Sequence, residues 1–391
     1  MLTHRPTFAE IDLDAIEYNY RQLRKKVAKT VKVLAVVKAD GYGHGATFVS
    51  KELWSLGVDL LGVAICEEGI ALRKAGIEAP IILLNGIFKG QIREVIEYDL
   101  TPVIFDLSIA ERLSVQGKKE NKKVKVHVKI DTGMGRVGIS LDQVRPFFVK
   151  LAGMENLEVE GVLSHLSTAD GDSRECRDFT SLQARRFKER IKELETLGLT
   201  PSLIHIANSA ATITHLSSLC NLVRPGLMIY GAYPSSGFRE KIHLKPAMSL
   251  KTQVMQVKRV PSGTNVSYGR TFITKRESVI ATLPVGYADG YSRLLSNRGV
   301  ALIHGGKVPV VGTVCMDMIM IDVTEVPDVR VGDEVVLMGR QGGTQGNNEI
   351  SADDLAEKMG TIPYEVFCKV GKRVPRIYIK GGKIIGKKIN V

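Results

Sequence analysis

One pattern restricts the fold of this chain more than any other. Between Lys32 and Gly231 a short, β-branched apolar run, a turn and a stretch with helical spacing recur in series. The runs occupy 33–37, 60–65, 81–84, 102–105, 124–130, 159–163, 203–207 and Leu222–Val223, with amphipathic segments such as 91–98 and 182–197 between them. Near-continuous apolar strands need cover on both faces, so this alternation predicts a parallel sheet wrapped by helices. Eight strands suit a closed (β/α)8 barrel, although an open doubly wound sheet satisfies the same count.

Beyond residue 241 the texture changes. Helical spacing gives way to short β-rich runs at 255–260, 279–283, 307–311 and 334–338, separated by Gly, Pro and Asp, which predicts an all-β domain. One helix is expected at 351–359, with Ser351 and Asp354 as its N-terminal cap. Residues 7–12 alternate apolar and polar and are expected to pair with this domain. The predicted organisation is an α/β barrel over 13–241 and a β domain over 242–391 that recruits an N-terminal strand from 1–12.

Charge and cysteine content exclude several function classes. The 54 basic residues outnumber the 42 acidic ones, giving +12, but they are scattered, and 6% aromatic content leaves few stacking platforms for nucleic acid. No run approaches the roughly 18 apolar residues of a membrane span, and the first residues lack the apolar core of a secretory signal. Five cysteines, at 66, 176, 220, 315 and 368, form no C-x-x-C pair. The expectation is a cytoplasmic protein with neither a disulfide framework nor a metal site.

In a barrel, chemistry sits where the strands end. The first run leads directly into Lys38-Ala39-Asp40-Gly41-Tyr42-Gly43-His44-Gly45. A lysine at the rim of an apolar barrel has a lowered pKa and is a candidate for Schiff-base chemistry; a strand-end lysine reaching to solvent is the plainer alternative. The fifth run ends Lys129-Ile130-Asp131-Thr132-Gly133-Met134-Gly135-Arg136. Arg136 there can grip a carboxylate through two hydrogen bonds or form a surface ion pair. Lys129 falls inside a strand, where an unpaired charge is costly and calls for a partner or a modification. His165 ends the sixth run, Asn208-Ser209 the seventh and Arg224-Pro225-Gly226-Leu227 the eighth. Lysine, serine and arginine beside helix starts suit a phosphorylated, carbonyl-bearing cofactor.

These strings, together with Ser267-Tyr268-Gly269, 284–291 and Cys315-Met316-Asp317-Met318, occur in an order that resembles the alanine racemase family across essentially the whole chain. That resemblance implies a pyridoxal 5'-phosphate enzyme, a homodimer that interconverts L- and D-alanine by two bases and supplies D-alanine for peptidoglycan. It implies that Lys38 attaches the cofactor and acts on the D-enantiomer, while Tyr268, reaching in from the partner subunit, acts on the L-enantiomer. Tyr42, Ser209, Gly226, Leu227 and Tyr364 resemble phosphate contacts. Arg224 resembles the contact to the pyridine nitrogen, and His165 the residue under the ring. Arg136 and the Met316 backbone resemble carboxylate binders, and Lys129 the lysine that is carbamylated. Tyr287 and Arg293 resemble access-channel residues, and Asp317 has a supporting role. Pro363 stands where the family often shows another residue.

Three other readings remain at this stage. They are a racemase of another small amino acid such as serine, a decarboxylase of basic amino acids, and a cofactor-binding protein without catalysis. A carboxylate-gripping Arg136 opposes the second, and a second base at Tyr268 opposes the third.

Overall fold

The computed structural model describes residues 5–214 and 220–389. Strand β1 (Phe8–Asp12) opens the chain, and helix Leu13–Lys26 follows it directly. Asp12 caps that helix by accepting from Ala15 N at 3.0 Å, and Leu13, Ile16, Tyr20 and Leu23 form its buried stripe.

The barrel strands are β2 (Lys32–Val36), β3 (Leu60–Val63), β4 (Ile81–Leu83), β5 (Thr101–Ile104), β6 (Val124–Lys129), β7 (Leu157–Leu163), β8 (Leu203–His205) and β9 (Leu222–Val223). All are parallel, in the order β8-β7-β6-β5-β4-β3-β2-β9. The seam between β8 and β9 is bridged by Asn221 N to Ile204 O (3.2 Å) and Arg224 N to Ala207 O (2.9 Å), so the sheet is nearly closed. This resolves the sequence ambiguity in favour of the barrel. The helical segment expected over 182–197 is the end of a longer helix, Arg174–Thr196, capped by Ser173.

The second half is all-β apart from short helices. β1 is its hinge piece: it pairs antiparallel with Met248–Gln253 and parallel with Arg376–Lys380, and its Ala9 and Ile11 are fully buried. The expected alternation over 7–12 thus forms as one strand between two from the far end of the chain. Ser351 caps Ala352–Met359 through a reciprocal bond pair with Asp354. A second helix, Pro363–Lys369, is not visible in the sequence pattern because seven residues are too few for a period to register. Pro363 opens it, where its missing N–H has no partner to lose.

The two halves meet over the end of β2. Gly43 lies so close to Pro363–Lys369 that an added Cβ would sit 2.4 Å from Phe367 O, and at Gly45 it would lie 1.8 Å from Tyr378 Oη. Lys388 clasps Asp40 at 2.8 Å across the same junction. Gly45→Ala is expected to lower stability by roughly 3 kcal/mol or more, because a left-handed φ and a steric overlap add. Gly57→Ala, at similarly positive φ with open space around it, should cost only about 1 kcal/mol. Urea unfolding midpoints of the two variants measure the difference.

Candidate active site

Four basic side chains, Lys38, Lys129, Arg136 and Arg224, line one cavity of about 250 Å³ at the C-terminal rim of the barrel. They reach it from three strand ends: Lys38 from β2, Lys129 and Arg136 from β6, and Arg224 from β9.

Lys38 follows β2, where the chain makes a left-handed turn: Ala39, Asp40, Gly41 and Tyr42 have φ of 51°, 53°, 63° and 51°. Left-handed backbone costs non-glycine residues about 1–2 kcal/mol each, so the turn holds only through what surrounds it. Glu68 accepts from Ala39 N (2.6 Å) with one oxygen and from Ala64 N (2.7 Å) with the other, and Asp40 accepts from Ala46 N. The turn places Lys38 and Tyr42 in the same cavity. Burial lowers the Lys38 amine, with Arg136 adding to the effect. Lys129 ends β6 and is 4% exposed; burial first, then Arg136 and Arg224, push its amine down to about 8.

Arg224 is buried and tightly held. Its Nη1 donates to His205 Nδ1 (3.0 Å), and Nη2 donates to Ser164 O (2.7 Å), Ile206 O (3.3 Å) and His165 Nδ1 (3.3 Å). Desolvation lowers it to about 10, which keeps it a cation at neutral pH. His165 is pushed well below its usual range, by burial and then by Arg224, so its ring is neutral. Since Nδ1 accepts from arginine, the ring proton resides on Nε2.

The opposite end of the cavity carries hydroxyls. Ser209 Oγ accepts from Gly226 N at 3.0 Å, and Asn208 caps the short helix that begins at Ser209. A Cβ on Gly226 would stand 2.6 Å from Tyr42 Oη, so glycine leaves the space between them open. The Tyr42 ring packs 5.6 Å from that of Tyr364 and 4.9 Å from that of Tyr230. Burial raises the phenol of Tyr42 and takes that of Tyr364 up to about 12, so both remain hydrogen-bond donors. Hydroxyls and backbone N–H at one end, a deprotonation-prone amine at the rim and a fixed arginine form a donor set that fits a phosphorylated carbonyl compound such as pyridoxal phosphate.

A second group lies on the β domain. Tyr268, Cys315, Met316 and Asp317 line an open cleft of about 680 Å³, with Tyr268 73% exposed. Its backbone is set by Thr313, whose hydroxyl donates to Tyr268 O, and by Ser267, whose Oγ donates to Thr313 O. Tyr287 N and Ala288 N bond to the carbonyls of Cys315 and Met316, and a side chain at Gly286 would strike both carbonyl oxygens. Buried Asp289 ties this turn to Arg5 and Arg373, and Arg373 reaches on to Asp317. Arg293 begins the next short helical turn.

The structure therefore gathers Lys38, Tyr42, Lys129, Arg136, His165, Ser209, Arg224, Gly226, Leu227 and Tyr364 around one cavity. Tyr268, Met316, Asp317, Tyr287 and Arg293 do not line that cavity within a single chain. The sequence reading missed Asn85, which also lines it, and Glu68 beneath the left-handed turn. Asn85 carried the same signal as the others, a polar residue just past an apolar run.

Family models for the alanine racemase N-terminal domain and C-terminal domain match residues 11–234 and 247–378. An alanine racemase of Caldanaerobacter subterraneus is 47% identical over 98% of this chain and 97% of its own length, and that of Geobacter sulfurreducens is 46% identical over 96% and 97%. Among solved structures, the Bacillus anthracis alanine racemase with bound L-Ala-P superposes with a TM-score of 0.91 at 37% identity, over 99% of this chain and 98% of that one. The Bartonella henselae alanine racemase with covalently bound pyridoxal phosphate gives 0.83 at 31%, over 96% and 99%.

Only a neutral amine forms a carbamate with carbon dioxide. With ¹³C-bicarbonate, a carbamate resonance is expected that grows as pH rises through about 8 and is missing in Lys129→Met, read by ¹³C NMR.

Proposed function

The chain belongs to the alanine racemase family, and on that premise we propose how its residues divide the work of inverting alanine. It interconverts L-alanine and D-alanine with pyridoxal phosphate as cofactor, the D-enantiomer being the one built into peptidoglycan. When bound, the cofactor supplies an electron sink that makes the Cα proton of the amino acid removable.

The assignment of roles rests on one observation: Lys38 shares a cavity with a buried, hydrogen-bonded Arg224, while the exposed Tyr268 belongs to a separate surface. In this reading Tyr42, Ser209, Tyr364 and the backbone at Gly226 and Leu227 hold the cofactor's phosphate. Arg224 donates toward its ring nitrogen, and a cation there disfavours a second proton. Lys38 anchors the cofactor and exchanges the Cα proton of D-alanine at Nζ, a task its lowered pKa suits. Arg136 orients the substrate carboxylate. Carbamylation of Lys129 would place an anion among the three remaining cations, Lys38, Arg136 and Arg224, and relieve their mutual repulsion.

Racemisation needs a second proton carrier on the opposite face, and Tyr268 lies outside the cavity of its own chain. We therefore infer a homodimer in which Tyr268 of the partner subunit exchanges the Cα proton of L-alanine, with Met316 of the partner subunit beside the carboxylate. The Nε2–H of His165 is available to steady that phenol as a phenolate. Tyr287 and Arg293 are assigned to the approach to the site, and Asp317, held by Arg373, to the shape of the Met316 loop. Unpaired cysteines support a cytoplasmic location. No helix among the described residues is long and apolar enough to cross a membrane.

Optical rotation of L-alanine should decay to zero with the purified, cofactor-loaded protein; a persistent rotation with L-alanine and also with L-serine and L-lysine overturns the assignment. Lys38→Ala and Tyr268→Phe should each lose nearly all activity. An equal mixture of the two, unfolded and refolded together, should regain about a quarter of the wild-type rate, because half of a two-fold dimer population is mixed and each mixed dimer holds one intact site. No recovery in the mixture removes the shared-site arrangement.

A further inference from the structure

The barrel interior contains a polar line that the reaction as described does not use. Arg224 can only donate, so His205 Nδ1, which receives Nη1 at 3.0 Å, carries no proton. The neutral ring of His205 then bears its proton on Nε2, which lies 2.8 Å from His127 Nδ1. His127 accepts there, so its own proton is on Nε2, and that atom faces Glu160 Oε2 at 3.3 Å. Both imidazoles are fully buried, and Glu160 is anchored by Lys125 at the N-terminal end of β6. Each bond dictates the next, and every donor points the same way, from Arg224 to the carboxylate.

Three features of the strands make this line. His127 and His205 lie on β6 and β8, with β7 between them, and β7 presents Gly161 opposite His127. A Cβ on Gly161 would stand 2.5 Å from His127 Nδ1, so only glycine lets the two rings meet across the intervening strand. The register of β6 against β7 shifts from Val126–Val159 to His127–Gly161, which leaves Glu160 as the extra residue of a bulge. Bulges re-aim a side chain.

We propose that Glu160, His127 and His205 are positioning residues that act through Arg224, a run of acceptors ending on a carboxylate that holds its Nη1 in place and leaves its Nε–H for the cofactor's ring nitrogen. Among the described residues no hydrogen bond takes up that Nε–H. The proposal deepens the functional assignment above and rests on it for the identity of the ring that Arg224 meets. Burial lowers both histidines, and the His127 contact takes Glu160 down to about 2, in keeping with neutral rings ending on a carboxylate.

The test is ¹⁵N NMR of the histidine side chains in the cofactor-loaded protein at neutral pH. His127 and His205 should both appear as neutral Nε2–H tautomers; a charged ring, or a proton on Nδ1 of either, overturns the proposal without any variant being made. Glu160→Leu removes the terminal acceptor. It should leave His127 Nε2–H without its acceptor and shift that nitrogen's ¹⁵N resonance, shift the visible band of the bound cofactor and weaken cofactor binding by ~10-fold or more, the loss expected of a hydrogen bond to a charged group. Glu160→Gln, whose amide oxygen still accepts, should restore the His127 resonance and the band. A shifted His127 resonance with binding and band unchanged within about twofold would show the line to be structural only. These readouts are separate from turnover, so a wild-type protein that racemises alanine with the wrong tautomers refutes the line alone, and one with the right tautomers but no racemisation refutes the family function instead.

Discussion

The cavity concentrates positive charge where water is scarce, and much of the architecture answers that problem. Lys38, Lys129, Arg136 and Arg224 reach it from three strand ends, and each lowers the proton affinity of a neighbour. Burying like charges together is unfavourable unless each is paired, hydrogen-bonded or neutralised. Three remedies are at work: Arg224 is bound by carbonyls and imidazoles, the amine of Lys129 is brought close to neutrality, and the rest is left for an anionic ligand to settle. Such a site is a poor stabiliser of the empty fold and a strong attractor of phosphate and carboxylate.

Local irregularity does the aiming. A left-handed turn after β2 brings Lys38 and Tyr42 to the same cavity, and a bulge in β7 brings Glu160 to His127. Neither conformation is favoured by its own residues. Ala39 and Asp40 tolerate left-handed backbone because Glu68 takes up the Ala39 N–H and the β domain presses on Gly43 and Gly45. Strain of this kind survives only where the surroundings over-determine it. The junction between the two halves therefore shapes the cavity as well as holding the chain together.

The β domain contributes twice. Tyr364 joins Tyr42 at the hydroxyl-lined end of the cavity within one chain. Met316 sits on a loop bonded to the turn at Gly286–Asp289, and Tyr268 on a separate short turn held by Thr313; both are exposed.

The sequence was most informative where a residue's role follows from its neighbours along the chain. Apolar period and strand count predicted the barrel, and polar residues just past strands placed Lys38, Arg136, His165, Ser209 and Arg224 at one rim. The alternation of Phe8–Asp12 marked it as a strand. Tertiary structure alone decided what depends on meetings between distant segments. Closure of the sheet rests on bonds between β8 and β9, and the His127–His205 contact on a missing side chain in the strand between them. Glu68, twenty-nine residues from the backbone it supports, and Glu160, diverted by a bulge, gave no periodic signal at all. Hydrophobic patterning is local and repeats along the chain, whereas hydrogen-bond partnership is set by register and burial, which exist only once the strands are side by side.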